Sequence, residues 1–242
     1  MFLICCPSIH SQSMIDGLAS IHTTGIEIPL MDFIFDEKNL NFLIDNINQF
    51  DYVIIPSPAV IDYVKKAIAV AYRPTFITVG KASGARIAKI THKDVIYPEL
   101  GAGGQALFNE KLQTLDLPNK MVLVVKGEGG NEELYIQMAK HNIKWTTIDI
   151  YKRVMLELEP DYLKKMLLIE GLQGIIITTS VLVEWLFHQA LKSNCIELLK
   201  NCLFITLHTN VEKKLIEFGA LKVLVTDRTE RNAIVELIRN LK

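Results

Sequence analysis

Along this chain, short runs in which nearly every side chain is apolar alternate with longer amphipathic stretches. The runs are Phe2-Leu3-Ile4, Tyr52–Ile55, Phe76–Val79, Val122–Val125, Ile175–Thr178, Phe204–Thr206 and Val223–Val225. Runs that are apolar throughout, and not at every second position, mark strands covered on both faces. The longer stretches are Met14–His22, Ala59–Ala69, Ser83–Ile90, Glu132–His141, Val181–Lys192, Val211–Phe218 and Asn232–Leu241, all of helical length. Strand and helix in alternation predict an α/β fold with doubly wound parallel sheets.

The pattern is duplicated. Tyr52-Val-Ile-Ile-Pro-Ser57 parallels Gly174-Ile-Ile-Ile-Thr-Thr-Ser180, and Thr75-Phe-Ile-Thr-Val-Gly80 parallels Leu203-Phe-Ile-Thr-Leu-His208. Met1-Phe-Leu-Ile parallels Met121-Val-Leu-Val, each leading through a helix to a further strand, Ile26-Glu-Ile-Pro and Thr147-Ile-Asp-Ile. Each half therefore predicts a small doubly wound unit. In such sheets ligands bind beyond the carboxyl ends of the strands, where loops run into helix N-termini. Ser57, Gly80, Gly127 to Gly130 and Ser180 all fall there, and two such lobes facing each other would make a cleft.

Composition narrows the possibilities. With 26 Lys and Arg against 27 Asp and Glu, the net charge of -1 provides no overall field for nucleic acid or an anionic membrane, so an anionic ligand must be held locally. The basic groups Lys152-Arg153, Lys164-Lys165 and Lys213-Lys214 are short and read as solvated faces, not a nucleic-acid stripe. No apolar run nears the roughly 20 residues that span a bilayer, and Met1–Pro7 lacks the basic flank of a signal peptide, so the expectation is a cytoplasmic protein. Cys5, Cys6, Cys195 and Cys202 form no C-x-x-C motif and are expected to be buried thiols. His10, His22, His92, His141, His188 and His208 show no metal-ligand spacing, so no metal is expected.

The glycine-rich stretch Lys126-Gly-Glu-Gly-Gly-Asn-Glu132 follows a strand but lacks the Gly-Lys-Ser/Thr ending of a phosphate loop and the third glycine of a dinucleotide fingerprint. Glu132 and Glu133 would place the protein's own carboxylates in the first helical turn after an Asn131 cap. A structural turn and a carboxylate-binding loop aided by Lys126 both fit. Ser57 and Ser180 lie outside any Gly-x-Ser-x-Gly, which argues against a hydrolase; helix capping and ligand contact both remain open for them.

Five segments in order carry a resemblance: Ile55-Pro-Ser-Pro-Ala-Val60, Val79-Gly-Lys-Ala-Ser-Gly84, Lys126-Gly-Glu-Gly-Gly-Asn131, Ile150-Tyr-Lys-Arg153 and Thr178-Thr-Ser180. Together they resemble the uroporphyrinogen-III synthase family along essentially the whole chain. The resemblance implies two flavodoxin-like domains joined by a two-stranded linker. Residues 1–34 and 154–242 would form one domain and 38–150 the other, with linkers at about 27–37 and 147–158. It also implies cyclisation of hydroxymethylbilane with inversion of ring D through a spiro intermediate, without a cofactor, by a monomer whose partner is that small molecule alone. Tyr151 matches the tyrosine associated with hydroxyl departure and is the catalytic candidate; the competing reading is an amphipathic tyrosine on an inter-domain strand. Substrate carboxylates would meet Ser57, Gly80, Ser83, Gly103, Gly104, Lys126, Gly127, Thr179, Ser180 and His208. The chain departs from the family pattern at Cys5-Cys6-Pro7, where Thr-Arg-Pro is usual, at Lys126 in place of arginine, and at Asn131 in place of a second arginine. Losing these fork-shaped guanidinium groups should weaken the grip on carboxylates. The rival reading is a two-lobed binding protein that closes on a small molecule without turnover.

Overall fold

Apolar runs in this chain become strands because β-branched side chains pack well on a pleated surface, and glycine, proline and short polar residues end them. The computed structural model describes residues 1–129, 132–159, 161–228 and 231–241. In chain order the elements are β1 (Phe2–Cys5), α1 (Ser8–Ala19), β2 (Gly25–Glu27), β3 (Met31–Phe35), α2 (Glu37–Asn46), β4 (Tyr52–Ile55), α3 (Pro58–Tyr63), α4 (Lys65–Ala69), β5 (Thr75–Thr78), α5 (Lys81–Thr91), β6 (Val95–Ile96) and α6 (Gly104–Glu110). There follow β7 (Val122–Gly127), α7 (Glu133–Lys140), β8 (Trp145–Met155), α8 (Tyr162–Leu167), β9 (Gly174–Ile177), α9 (Ser180–Lys192), α10 (Ile196–Asn201), β10 (Leu203–Thr206), α11 (Thr209–Glu217), β11 (Lys222–Val225) and α12 (Arg231–Asn240).

The chain divides into two compact units, residues 1–33 with 154–242 and residues 34–153. In the first, the strands lie in the order β2-β1-β9-β10-β11, all paired in parallel. Counted along that unit's chain this is 2-1-3-4-5, the flavodoxin-like doubly wound order. The sheet of the second unit runs β8-β7-β4-β5-β6, again parallel between these neighbours, with β3 beside β8 at the edge. Its spatial order is the same, but the strands equivalent to the first two come last in the chain. The second unit is thus a circular permutation of the first, as expected when one copy of a duplicated sheet is interrupted by the other.

Both sheets are covered on both faces. In the first unit Phe2, Ile4, Ile176 and Ile205 pack under Met14 and Leu18 of α1 and Ile234 and Ile238 of α12. On the opposite face Phe187 of α9 stacks on Phe204 at 6.2 Å. In the second unit Ile54, Ile77, Val122 and Val124 pack under Leu107 and Phe108 of α6 and Leu134 and Met138 of α7. Burying each such side chain contributes about 1.5–3 kcal/mol before entropy is charged against it. Cys5, Cys6 and Cys195 are buried free thiols, whereas Cys202, after α10, is half-exposed. Burial, then the neighbouring Cys6 and Glu27, push the Cys5 thiol far up, so it stays protonated.

Candidate active site

The carboxyl end of the second unit's sheet is shaped by one irregularity. Strands β7 and β8 pair in register from Val122 with Trp145 to Lys126 with Asp149, and the next pair is Gly127 with Tyr151. Ile150 is therefore an extra residue, a β-bulge, and the inside-outside alternation slips by one. Ile150 and Tyr151 are consecutive in sequence and both buried, at 0% and 3% exposure. The bulge turns the Tyr151 ring onto the bare Cα of Gly127. A Cβ at position 127 would lie 2.2 Å from the ring's Cζ and 2.7 Å from its Oη, so only glycine fits without displacing the ring. Phe35 of β3 meets Tyr151 edge-on at 6.0 Å and stacks on Tyr63 at 4.1 Å, which fixes the ring from its other side.

Ser57 stands at the N-cap position of α3 with Pro58 behind it, but its hydroxyl makes no cap hydrogen bond. Its Oγ lies 3.4 Å from the Tyr151 Oη. Lys126 projects from β7 beside Asp149, with Nζ 2.8 Å from the carboxylate, and donates to the carbonyls of Gly127 at 3.3 Å and Gly129 at 3.4 Å. Its side chain is only 16% exposed. Gly129 has φ +69, the left-handed turn that brings its carbonyl back to the ammonium. The Gly130 part of this loop and the Asn131 cap fall outside the described residues; Glu132 holds the N-cap position of α7 without a side-chain cap, and Glu133 lies in the first turn.

Val79, at the end of β5, accepts the Gly103 amide at 2.9 Å. Gly103 has φ +95 and ψ 178, a conformation essentially reserved for glycine, and starts α6. Gly104 packs against Leu134, where a Cβ would sit 3.1 Å from the leucine Cβ.

These groups enclose a cavity of about 270 Å³ lined by Ser57, Gly103, Gly104, Lys126, Gly127 and Tyr151, and also by Tyr135 and Arg153. Tyr135, on α7, stacks on Trp145 at 5.9 Å. Burial first, and then the Asp149 carboxylate, push its phenol above the ordinary value, so it is held as a hydrogen-bond donor. Of the expected contacts in this unit, Gly80 is the N-cap of α5 and Ser83 is buried inside that helix at 5% exposure; neither lines the cavity. Thr179, Ser180 and His208 belong to the first unit. Thr179 caps α9, accepting from the Leu182 amide at 3.4 Å, Ser180 opens the helix, and His208 is the exposed N-cap residue of α11.

Tyr135 was not singled out in the sequence, and Arg153, read there with Lys152 as part of a solvated face, lines the cavity instead. For Arg153 a signal exists: it stands two residues beyond Tyr151, and strand periodicity puts such residues on one face. Tyr135 had none, because its place at the cavity depends on how α7 packs, which no local pattern states.

Strand-end loops that present phenols, a hydroxyl and cations around a cavity are the arrangement by which a parallel α/β protein takes a small molecule. A family model for uroporphyrinogen-III synthase matches residues 14–236. The chain belongs to that family, the lyases that close the tetrapyrrole ring in haem biosynthesis. Solved structures share the fold. A mutant uroporphyrinogen III synthase from the extremely thermophilic bacterium Thermus thermophilus aligns with a TM-score of 0.59 at 11% identity, over 99% of this chain and 97% of that one. The uroporphyrinogen-III synthetase of Helicobacter pylori aligns with a TM-score of 0.57 at 14% identity, over 89% and 92%. No curated protein matches the chain by sequence.

Proposed function

We propose that this chain converts hydroxymethylbilane to uroporphyrinogen III through a spiro intermediate, with Tyr151 assisting departure of the hydroxyl. The observation that supports this most is the Tyr151 phenol, fixed by Gly127 and Phe35 at a cavity that also presents a second hydroxyl and cationic side chains. A phenol donates a hydrogen bond to the leaving oxygen as the C–O bond breaks, and water departs. The resulting azafulvene carbon is attacked by the substituted α-carbon of ring D, giving the spiro species. Fragmentation and reclosure at the other α-carbon, followed by loss of a proton, complete the inversion; the net loss is one water. Because the bilane also closes unaided to the uninverted isomer, the protein's contribution is to hold the conformer that favours spiro attack.

Ser57, Gly103, Gly104, Lys126 and Gly127 are proposed as groups that meet the ring at the cavity, and Gly80, Ser83, Thr179, Ser180 and His208 as further carboxylate contacts at strand ends. The domain division at 1–34 with 154–242 and 38–150, joined by hinge linkers at about 27–37 and 147–158, belongs to the same proposal. So do a monomeric state and action in the cytoplasm; no described helix is long and apolar enough to cross a membrane. The test is to generate hydroxymethylbilane in situ, add the protein, oxidise the products and resolve the porphyrin isomers. Isomer III is the expected product. Isomer I alone, with the bilane bound, would mean a binding protein and not an enzyme.

A further inference from the structure

The cavity has two cationic lining residues, and they are not equivalent. Lys126 is held by Asp149 at 2.8 Å and by the carbonyls of Gly127 and Gly129, and is largely buried. Its charge is already compensated by the Asp149 carboxylate, and it donates to the two glycine carbonyls. It holds the glycine loop in shape; redirecting it to a ligand would leave Asp149 uncompensated. Arg153 lines the same cavity from β8, on the face of Tyr151, with an exposed guanidinium that makes no ion pair among the described residues. No acidic side chain lines the cavity among the described residues. Its volume, about 270 Å³, falls just below the ~300–1,000 Å³ that hold a drug-sized ligand, so it takes one substituted ring and not a four-ring chain.

Resting on the activity proposed above, we infer that the cavity of the second unit receives a single pyrrole ring of the bilane and that Arg153 anchors one of that ring's carboxylates. Lys126 is a positioning residue for the loop. The fork of a guanidinium matches a carboxylate with two parallel hydrogen bonds.

The probe is a monopyrrole bearing one acetate and one propionate, with its dimethyl ester as the neutral control, titrated into the full chain and followed by NMR shifts of the Tyr151 and Tyr135 rings. The diacid is expected to shift both saturably and the diester neither. Arg153→Gln should raise the diacid Kd and the KM for hydroxymethylbilane by about tenfold to a hundredfold, the usual range for losing a charge-assisted pair, with a smaller change in kcat. Arg153→Lys should recover part of the loss, and thermal stability should stay within about 2 °C because the residue is exposed. Unchanged Kd and KM in Arg153→Gln, or no saturable shift in the wild-type chain, would overturn the assignment. The binding arm requires no turnover. If the wild-type chain yields only isomer I while Arg153→Gln still loses the diacid, the enzymatic reading fails and the anchor stands.

Discussion

Gly127→Ala tests how the site is built. The new Cβ would sit 2.2 Å from Cζ, 2.3 Å from Cε2 and 2.7 Å from Oη of Tyr151. Carbon atoms pack at about 3.5–4.0 Å, so the ring must retreat by about 1.3–1.8 Å. It is 3% exposed and Phe35 stands at its edge, which leaves the cavity as the direction of movement and disrupts the 3.4 Å approach to Ser57. Overpacking of this kind costs about 1–3 kcal/mol. In a protein of this size Tm then falls by about 2–4 °C for each kcal/mol. Activity should suffer more than stability, since displacing a reacting group by ~1 Å costs about a hundredfold in rate. The decisive measurement is a double-mutant cycle by urea unfolding, scored on the transition of residues 34–153. If the clash is with the ring, Gly127→Ala should cost little in a Tyr151→Ala background, giving a coupling of about 1–3 kcal/mol. An equal penalty in both backgrounds would show that the alanine meets something else, and that Gly127 does not set the position of Tyr151.

Tyr151→Phe keeps the ring and removes the donor, and should lower turnover about a hundredfold with Tm within about 2 °C of the parent; near-parental turnover in the isomer-resolved assay would remove its chemical role. Gly103→Ala meets no atom within 4 Å, so its cost is backbone strain alone, about 1–3 kcal/mol by urea unfolding. Gly103→Asn should be no better, because φ +95 with ψ 178 lies outside the left-handed helical region that asparagine tolerates; a stable Asn variant would contradict this. The Met121 amide, and then Arg73, hold the Asp51 carboxyl below its ordinary range. A lowered folded value means that the stabilisation is complete above the unfolded carboxylate pKa and disappears as pH falls through the folded one. Asp51→Asn should therefore flatten the acid limb of the urea midpoint against pH while costing stability near neutrality, and an unchanged acid limb would refute the assignment.

The central strands were legible because they are buried on both faces and so carry no polar punctuation; β1 and β9 are buried at every position, whereas β3, exposed at alternate positions, and the two-residue β6 form no such run. Helix boundaries were less so. Met14 looked like the start of α1, yet the helix begins at Ser8, directly after Pro7; its first turns carry Ser8, His10 and the buried Ser11, whose hydroxyl donates to the Ser8 carbonyl, so they lack the apolar spacing that marks a helix in sequence. Ala59–Ala69 reads as one helix but breaks at Val64 into α3 and α4. The helix α2 escaped notice since Lys38, Asn39, Asn41 and Asp45 blur its periodicity; the Asp36 side chain that accepts from the Asn39 amide was its one local mark. Within the site, Ser57 and the Lys126-Gly127 loop were legible as strand-end residues and Gly103, Gly104 and Tyr151 only through the family resemblance, and the structure brings them to one cavity. What could not be read was the sense of Lys126. A lysine in a glycine loop suggests an anion contact, and only the pairing of β7 with β8 sets Asp149 beside it.

The same register explains why the two copies of one sheet differ in chemistry. Strand pairing makes Gly174 equivalent to Tyr52, so the counterpart of Ser57 is Thr179, and not Ser180 as the sequence parallel suggested; both occupy N-cap positions. Likewise Phe2 is equivalent to Val122, which sets Cys6 and Pro7 where the second unit has Lys126 and Gly127. Pro29 falls at the place of Asp149. A buried thiol and two prolines cannot form the ion pair, the glycine loop or the close seat for an aromatic ring. The strand β2 stops after three residues, whereas β8 continues for eleven and bulges at Ile150 to turn Tyr151 inward. Equal scaffolds therefore carry unequal sites. The first unit offers capped helix starts with an exposed His208, and the phenol, its glycine seat and a guanidinium without an ion pair among the described residues lie on the second, where the extra length of β8 made room for them.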